Sequence, residues 1–258
     1  MKRLISAVLL SAAVVVPTMA KSAKTLSNGY PFTQVPFTSV KISQNTFWGA
    51  RLKAAREVTV PLAFSKCESE HRYKNFDMAA YTLQHPNHPG LNTKEWDVSK
   101  FMGFSFDDTD VYKTIEGASY ILQTYPDKKL KAYIDSVLDV VGAAQEPDGY
   151  LYTARTINPK HPHQWSGNKR WVKDEDLSHE LYNLGHMVDA ACAHYQATGS
   201  TKFLNIAKRY ADCVVKEVGP KPGQATIVPG HQIAEMALAR LYTLTGEKKY
   251  LDEAKYLL

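Results

Sequence analysis

The segment His179-Glu180-Leu181-Tyr182-Asn183-Leu184-Gly185-His186 concentrates side chains able to do chemistry. It is not the HExxH zinc motif, because Asn183 stands where the second histidine is needed. On a helix, His179, Tyr182, His186 and Asp189 form one polar stripe, and Leu181, Leu184, Val188, Cys192 and Tyr195 form an apolar stripe opposite. Two imidazoles and a phenol without Lys or Glu beside them suit the few placed polar groups of a ligand-cavity wall. A solvent-facing stripe is the alternative. A second histidine, His231, follows Gly230 and is expected to open a helix, with Glu235 one turn on. A helix N-terminus favours a neutral imidazole, suited to hydrogen bonding.

Two further clusters are weighed against structural roles. Phe106-Asp107-Asp108-Thr109-Asp110 places three carboxylates at a helix start, where they complement the dipole and Asp108, Thr109 or Asp110 supplies the cap. Asp108 is the candidate there for recognising hydroxyls. Gln145-Glu146-Pro147-Asp148-Gly149-Tyr150 reads as a turn with Tyr150 returning to the core. Cys67, Cys192 and Cys213 lie in no CxxC or Cys/His pattern at zinc spacing, so no metal ligand is assigned. Cys192 and Cys213 fall on neighbouring helices, but buried free thiols are the simpler reading.

Helices must position these groups. Apolar residues recur at helical spacing over 47–64, 110–124, 128–144, 178–198, 201–217 and 231–244, and again from Lys248. Ser178 is the expected cap of the 178–198 helix. Loops are expected over 84–100, which carries Trp96, and over 152–176. Residues 37–42 have a β-like pattern within an extended lead-in, 21–46. A repeat supports helical hairpins: Thr198-Gly199-x-x-x-Phe203-Leu204-x-x-Ala207-Lys208 recurs as Thr245-Gly246-x-x-x-Tyr250-Leu251-x-x-Ala254-Lys255. Each Gly is placed to end a helix. Stacked hairpins form either an open solenoid or an α/α toroid. No terminator follows Tyr256-Leu257-Leu258, which predicts a chain cut in mid-helix, its last apolar stripe left without a neighbour.

The chain's 258 residues begin with Lys2-Arg3, an apolar run over 4–16 and Pro17-Thr18-Met19-Ala20, the pattern of a signal peptide cleaved after Ala20. The run is shorter than the ~20 residues of a membrane span. Export to the periplasm or the outside follows, with no membrane attachment after cleavage. The formal net charge of +5 is spread without a basic stripe, so no nucleic-acid partner is expected. With 15 Tyr, 9 Phe and 4 Trp, the chain has rings to stack on sugar faces, though large cores use them too.

The stretches FDDTDVYKTIEGASY, AQEPDGYLYT, RW…SHELYNLGHMVDAACAHYQATG and GHQIAEMALARLYTLTGEKKYL, in this order, resemble the N-terminal half of the bacterial β-L-arabinofuranosidase family, glycoside hydrolase family 127. The resemblance spans roughly 38–258. It implies that residues 47–258 are the N-terminal part of an all-α, (α/α)6-barrel catalytic domain, incomplete here. It implies retaining release of β-L-arabinofuranose from the non-reducing end of plant-derived glycans. It implies a Cys nucleophile tuned by a zinc ion on Cys and Glu, and a Glu acid/base, all in the family's later half. No catalytic residue and no zinc ligand therefore carries over to this chain, and the fragment alone is expected to be inactive. The family's sugar-binding histidines match His179 and His231; Tyr182, His186 and Asp108 complete the candidate set. Near Asn75-Phe76 some members carry a sugar-contacting Gln that this chain lacks. Two other readings stay open: a different α/α-barrel carbohydrate enzyme, such as an unsaturated uronyl hydrolase or a sugar epimerase, or a helical-hairpin binding scaffold.

Overall fold

The computed structural model describes residues 34–86 and 103–258. The expected signal peptide and Trp96 lie outside the described residues. The helices run α1 Phe47–Ala54, α2 Val60–Ser69, α3 Arg72–Gln84, α4 Asp108–Thr124, α5 Lys128–Ala143, α6 Thr153–Thr156, α7 Glu180–Thr198, α8 Lys202–Glu217, α9 Ala234–Thr245 and α10 Lys248–Leu257. A π-helical turn, Ala55–Thr59, joins α1 to α2. Among the described residues there is no strand, only a bridge between Val218 and Ala225. None of their helices is long and apolar enough to cross a membrane.

Three hairpins, α4–α5, α7–α8 and α9–α10, stand side by side. In one layer α7 lies between α4 and α9 and packs on both; α5, α8 and α10 back them in a second. This is the two-layer wall of an α/α toroid. The patterns explain the layers. α8 buries one stripe, Phe203, Leu204, Ala207, Tyr210, Ala211 and Val214, at helical spacing. α7 is flanked by α4, α8 and α9, so it buries residues on most of its circumference and leaves Tyr182, His186 and Asp189 half-buried. Asp127 caps α5 by accepting from the Lys129 and Leu130 amides at 2.8 and 3.2 Å. Gly199 and Gly246 end α7 and α9 in the left-handed region, at φ 72° and 76°.

Several expectations change. Residues 37–39 form a 3-10 turn rather than extended chain. Arg72–Gln84 is a helix that the periodicity did not single out, and its short apolar stripe of Phe76, Met78, Ala79 and Ala80 is completed by packing on α5. The 152–176 loop contains the short α6. His179, not Ser178, is the N-cap of α7, and the Ser178 hydroxyl instead donates to Glu180 Oε2 at 2.8 Å. α9 starts at Ala234, so His231 lies in the turn before it. The stripe of α10 does have a neighbour: Tyr250, Ala254 and Leu257 are buried where α10 meets α9 and α8. All three cysteines are free and buried.

Candidate functional site

The site is built on the first turn of α7. Glu180 is fully buried, and its carboxylate accepts from Tyr150 Oη at 2.5 Å, from Ser178 Oγ, and from the Trp171 amide at 2.9 Å. The Leu181 amide donates to Asp174 Oδ1 at 2.8 Å. These anchors hold His179 in the left-handed region, at φ 61°. Such a backbone costs a non-glycine residue about 1–2 kcal/mol and persists only where its surroundings enforce it.

The His179 side chain is oriented as firmly as its backbone. Nδ1 lies 2.6 Å from the Leu177 carbonyl, which can only accept, so Nδ1 carries the hydrogen and Nε2 is left as an acceptor. Burial, with a smaller contribution from His231, holds this imidazole below its ordinary pKa, although the Leu177 carbonyl opposes the shift. His179 is thus a neutral ring with Nε2 free to accept. The Phe106 ring packs 5.0 Å from it, and Phe106 in turn stacks on Phe104 at 5.3 Å, which stacks on Trp165 at 5.7 Å.

Glycine brings in the second histidine. A Cβ on Gly185 would stand 2.7 Å from Ile233 Cγ2 and 2.9 Å from the Ala234 nitrogen. A Cβ on Gly230 would stand 2.8 Å from the Asp174 and Glu175 carbonyl oxygens. Without these side chains the 230–234 turn seats directly on α7. The His231 ring then comes within 5.0 Å of His179 and 5.2 Å of Tyr182.

Tyr182 is the hub. Its ring lies 4.5 Å from His186 and 5.6 Å from His179. Burial first, then the nearby Lys113 ammonium, lowers His186 to about 4. Lys113, on α4, donates to Tyr182 Oη at 2.6 Å and to Thr109 Oγ1 at 3.1 Å. The structure therefore brings together His179, Tyr182, His186 and His231, and adds Phe106 and Lys113. The motif around Lys113 is visible in the chain, but nothing local links it to Tyr182 on another helix.

Asp108 is not brought to this cluster. It is buried, with Oδ2 accepting from the Thr153 amide at 2.9 Å and Oδ1 from the Thr153 hydroxyl at 2.6 Å. Both oxygens are thus spent on tying α4 to α6. Burial raises its carboxyl to about 7, and Asp107 to about 6. Asp107 and Asp110 both bind Arg72, at 2.9 and 2.8 Å. Asp189 turns from the histidines to Arg240, at 2.5 Å.

Among the described residues, Asp148, Cys213 and Glu217 converge closely enough to suggest a metal. A cation already occupies that position: Arg170 Nη1 lies 2.7 Å from Asp148, 2.8 Å from Glu217 and 3.9 Å from Cys213 Sγ. Burial raises the Cys213 and Cys192 thiols to about 12, away from the thiolate a metal requires. These residues do not fit a zinc centre.

Fold and site together define the class: an α/α-toroid domain with a cluster of polar rings on its wall. Residues 39–258 match the family model described as "Beta-L-arabinofuranosidase, GH127 catalytic domain", and the chain belongs to that family. It is similar to a non-reducing end β-L-arabinofuranosidase of Bifidobacterium longum subsp. longum, 42% identical over 159 residues, 62% of this chain and 24% of that protein. A solved GH127 β-arabinofuranosidase aligns at TM-score 0.78 and 65% identity, over 86% of this chain and 33% of that one. A GH127 β-L-arabinofuranosidase from Geobacillus stearothermophilus T6 aligns at TM-score 0.70 and 34% identity, over 82% of this chain and 31% of that one. The chain thus spans about a third or less of the length of these relatives.

Proposed function

We propose that this chain supplies the sugar-holding wall of an exported glycoside hydrolase that releases β-L-arabinofuranosyl residues from the non-reducing ends of plant glycans with retention of configuration. The observation that carries the reading is the His179–Tyr182–His231 cluster. A sugar hydroxyl both donates and accepts, and His179 Nε2 is an acceptor beside a phenol. The relatives, known as β-L-arabinofuranosidases and in one case as acting at the non-reducing end, suggest the sugar and the end of the chain attacked. In this reading the described residues bind and orient the sugar. None of them is assigned as nucleophile or acid/base, since the three thiols are buried with raised pKa values and Asp108 and Glu180 are engaged within the fold.

The test is hydrolysis of an aryl β-L-arabinofuranoside by the natural full-length gene product, with His179→Ala and His231→Ala. Each variant is expected to lose about tenfold or more in kcat/KM, the worth of a hydrogen bond to a substrate hydroxyl. Unaltered kinetics in both variants would remove the site assignment.

A further inference from the structure

We propose that Lys113 is a positioning residue that makes Tyr182 a one-way hydrogen-bond donor to an oxygen of the bound sugar. The inference rests on the sugar-binding reading of this site. It starts from the 2.6 Å contact between Lys113 Nζ and Tyr182 Oη. An ammonium has only hydrogens to offer, so the phenol oxygen must accept, and the phenol's own hydrogen must point elsewhere. The ammonium's other hydrogen-bond partner is Thr109 Oγ1, one turn back on α4, which fixes where Nζ sits. No carboxylate among the described residues lies within 4.0 Å of it. Its charge acts on the phenol it touches, polarising the O–H as a charge-assisted bond does, as well as on the nearby His186. The same ammonium stands 4.7 Å from the centre of the Tyr182 ring, which limits how the ring can swing.

The wall then offers complementary groups. His179 Nε2 accepts, and Tyr182 Oη donates, from rings 5.6 Å apart. A sugar hydroxyl is donor and acceptor at once and is satisfied by one of each. A charged carboxylate on the ligand is not required, since the ammonium is used through the phenol rather than presented directly.

Steady-state kinetics of the natural full-length gene product on an aryl β-L-arabinofuranoside, with Lys113→Met, Lys113→Arg, Tyr182→Phe and the Met/Phe double variant, tests this. Lys113→Met and Tyr182→Phe are each expected to lose about tenfold in kcat/KM, the double variant no more than Tyr182→Phe alone, and Lys113→Arg to recover part of the loss. Additive losses, or a Lys113→Met enzyme with native kinetics, overturn the proposal. Tyrosine 13Cζ NMR reads the contact without activity. The resonance absent from Tyr182→Phe is expected to move in Lys113→Met, and an unmoved resonance also overturns the proposal. A moved resonance in a protein inactive on the arabinofuranoside overturns the sugar reading and leaves only the Lys113–Tyr182 contact.

Discussion

Ile233 lies so close to Gly185 that a β-carbon there would stand 2.7 Å from its Cγ2 and 2.8 Å from its carbonyl carbon. Contact with backbone, unlike contact with a flexible side-chain end, cannot be relieved by a rotamer change. It sets how near the turn carrying His231 comes to His179. Gly185→Ala is therefore expected to push that turn off α7. The cost should be about 1–3 kcal/mol in urea unfolding, the range for overpacking a tight core. KM for the sugar should rise with it, because the two imidazoles separate. An unchanged unfolding midpoint would show that the turn is not held by this approach.

Asp108 makes stability depend on pH in a definite direction. Burial lifts its folded value from 3.8 to about 7, so near pH 5 the folded protein keeps a proton that the unfolded chain has lost. That contribution is fully present below about pH 4 and disappears as pH rises through 7. Asp108→Asn does not titrate and still offers one acceptor and one donor to Thr153. Relative to the parent, its stability is expected to improve by about 2–3 kcal/mol between pH 5 and pH 8. Thermal melts at both values check this; a difference independent of pH would show that Asp108 does not carry the proton.

Arg170 holds the base of the wall. Its guanidinium meets Glu146 at 2.6 Å, Asp148 at 2.7 Å and Glu217 at 2.8 Å, and lies over the Tyr150 ring at 3.9 Å. Tyr150 in turn donates to Glu180 beneath His179. Arg170→Ala leaves three carboxylates facing one another and is expected to cost about 3–5 kcal/mol in chemical denaturation. Arg170→Lys should cost less but not nothing, because an ammonium cannot reproduce the planar fork. Wild-type stability in Arg170→Ala would show the clamp to be dispensable.

The thiols are expected to be inert. Cys67 is buried with a raised pKa, and Cys192 and Cys213 are pushed up to about 12, so few thiolates exist at pH 8. A thiol-specific reagent should leave all three unlabelled over minutes in native protein and label them after denaturation, read by peptide mass spectrometry. Rapid native labelling of any one would place it at the surface.

The sequence by itself determined what depends on neighbours a few residues apart. Helical spacing marked α4, α5, α7 and α8, and Thr-Gly marked the ends of α7 and α9, because a residue at φ near 72° is cheap only for glycine. The stripe of His179, Tyr182 and His186 was legible for the same reason, since the helical period alone puts them on one face. Tertiary structure decided the rest. Asp108 and Glu180 look alike as acidic residues at helix starts, but packing buries one against Thr153 and the other beneath Tyr150 and Trp171. Lys113 meets Tyr182, and His231 meets His179, only because α4 and α9 both adjoin α7 at distances set by side-chain volume and by the bare surface of Gly185. Those distances arise between elements, where no local spacing records them.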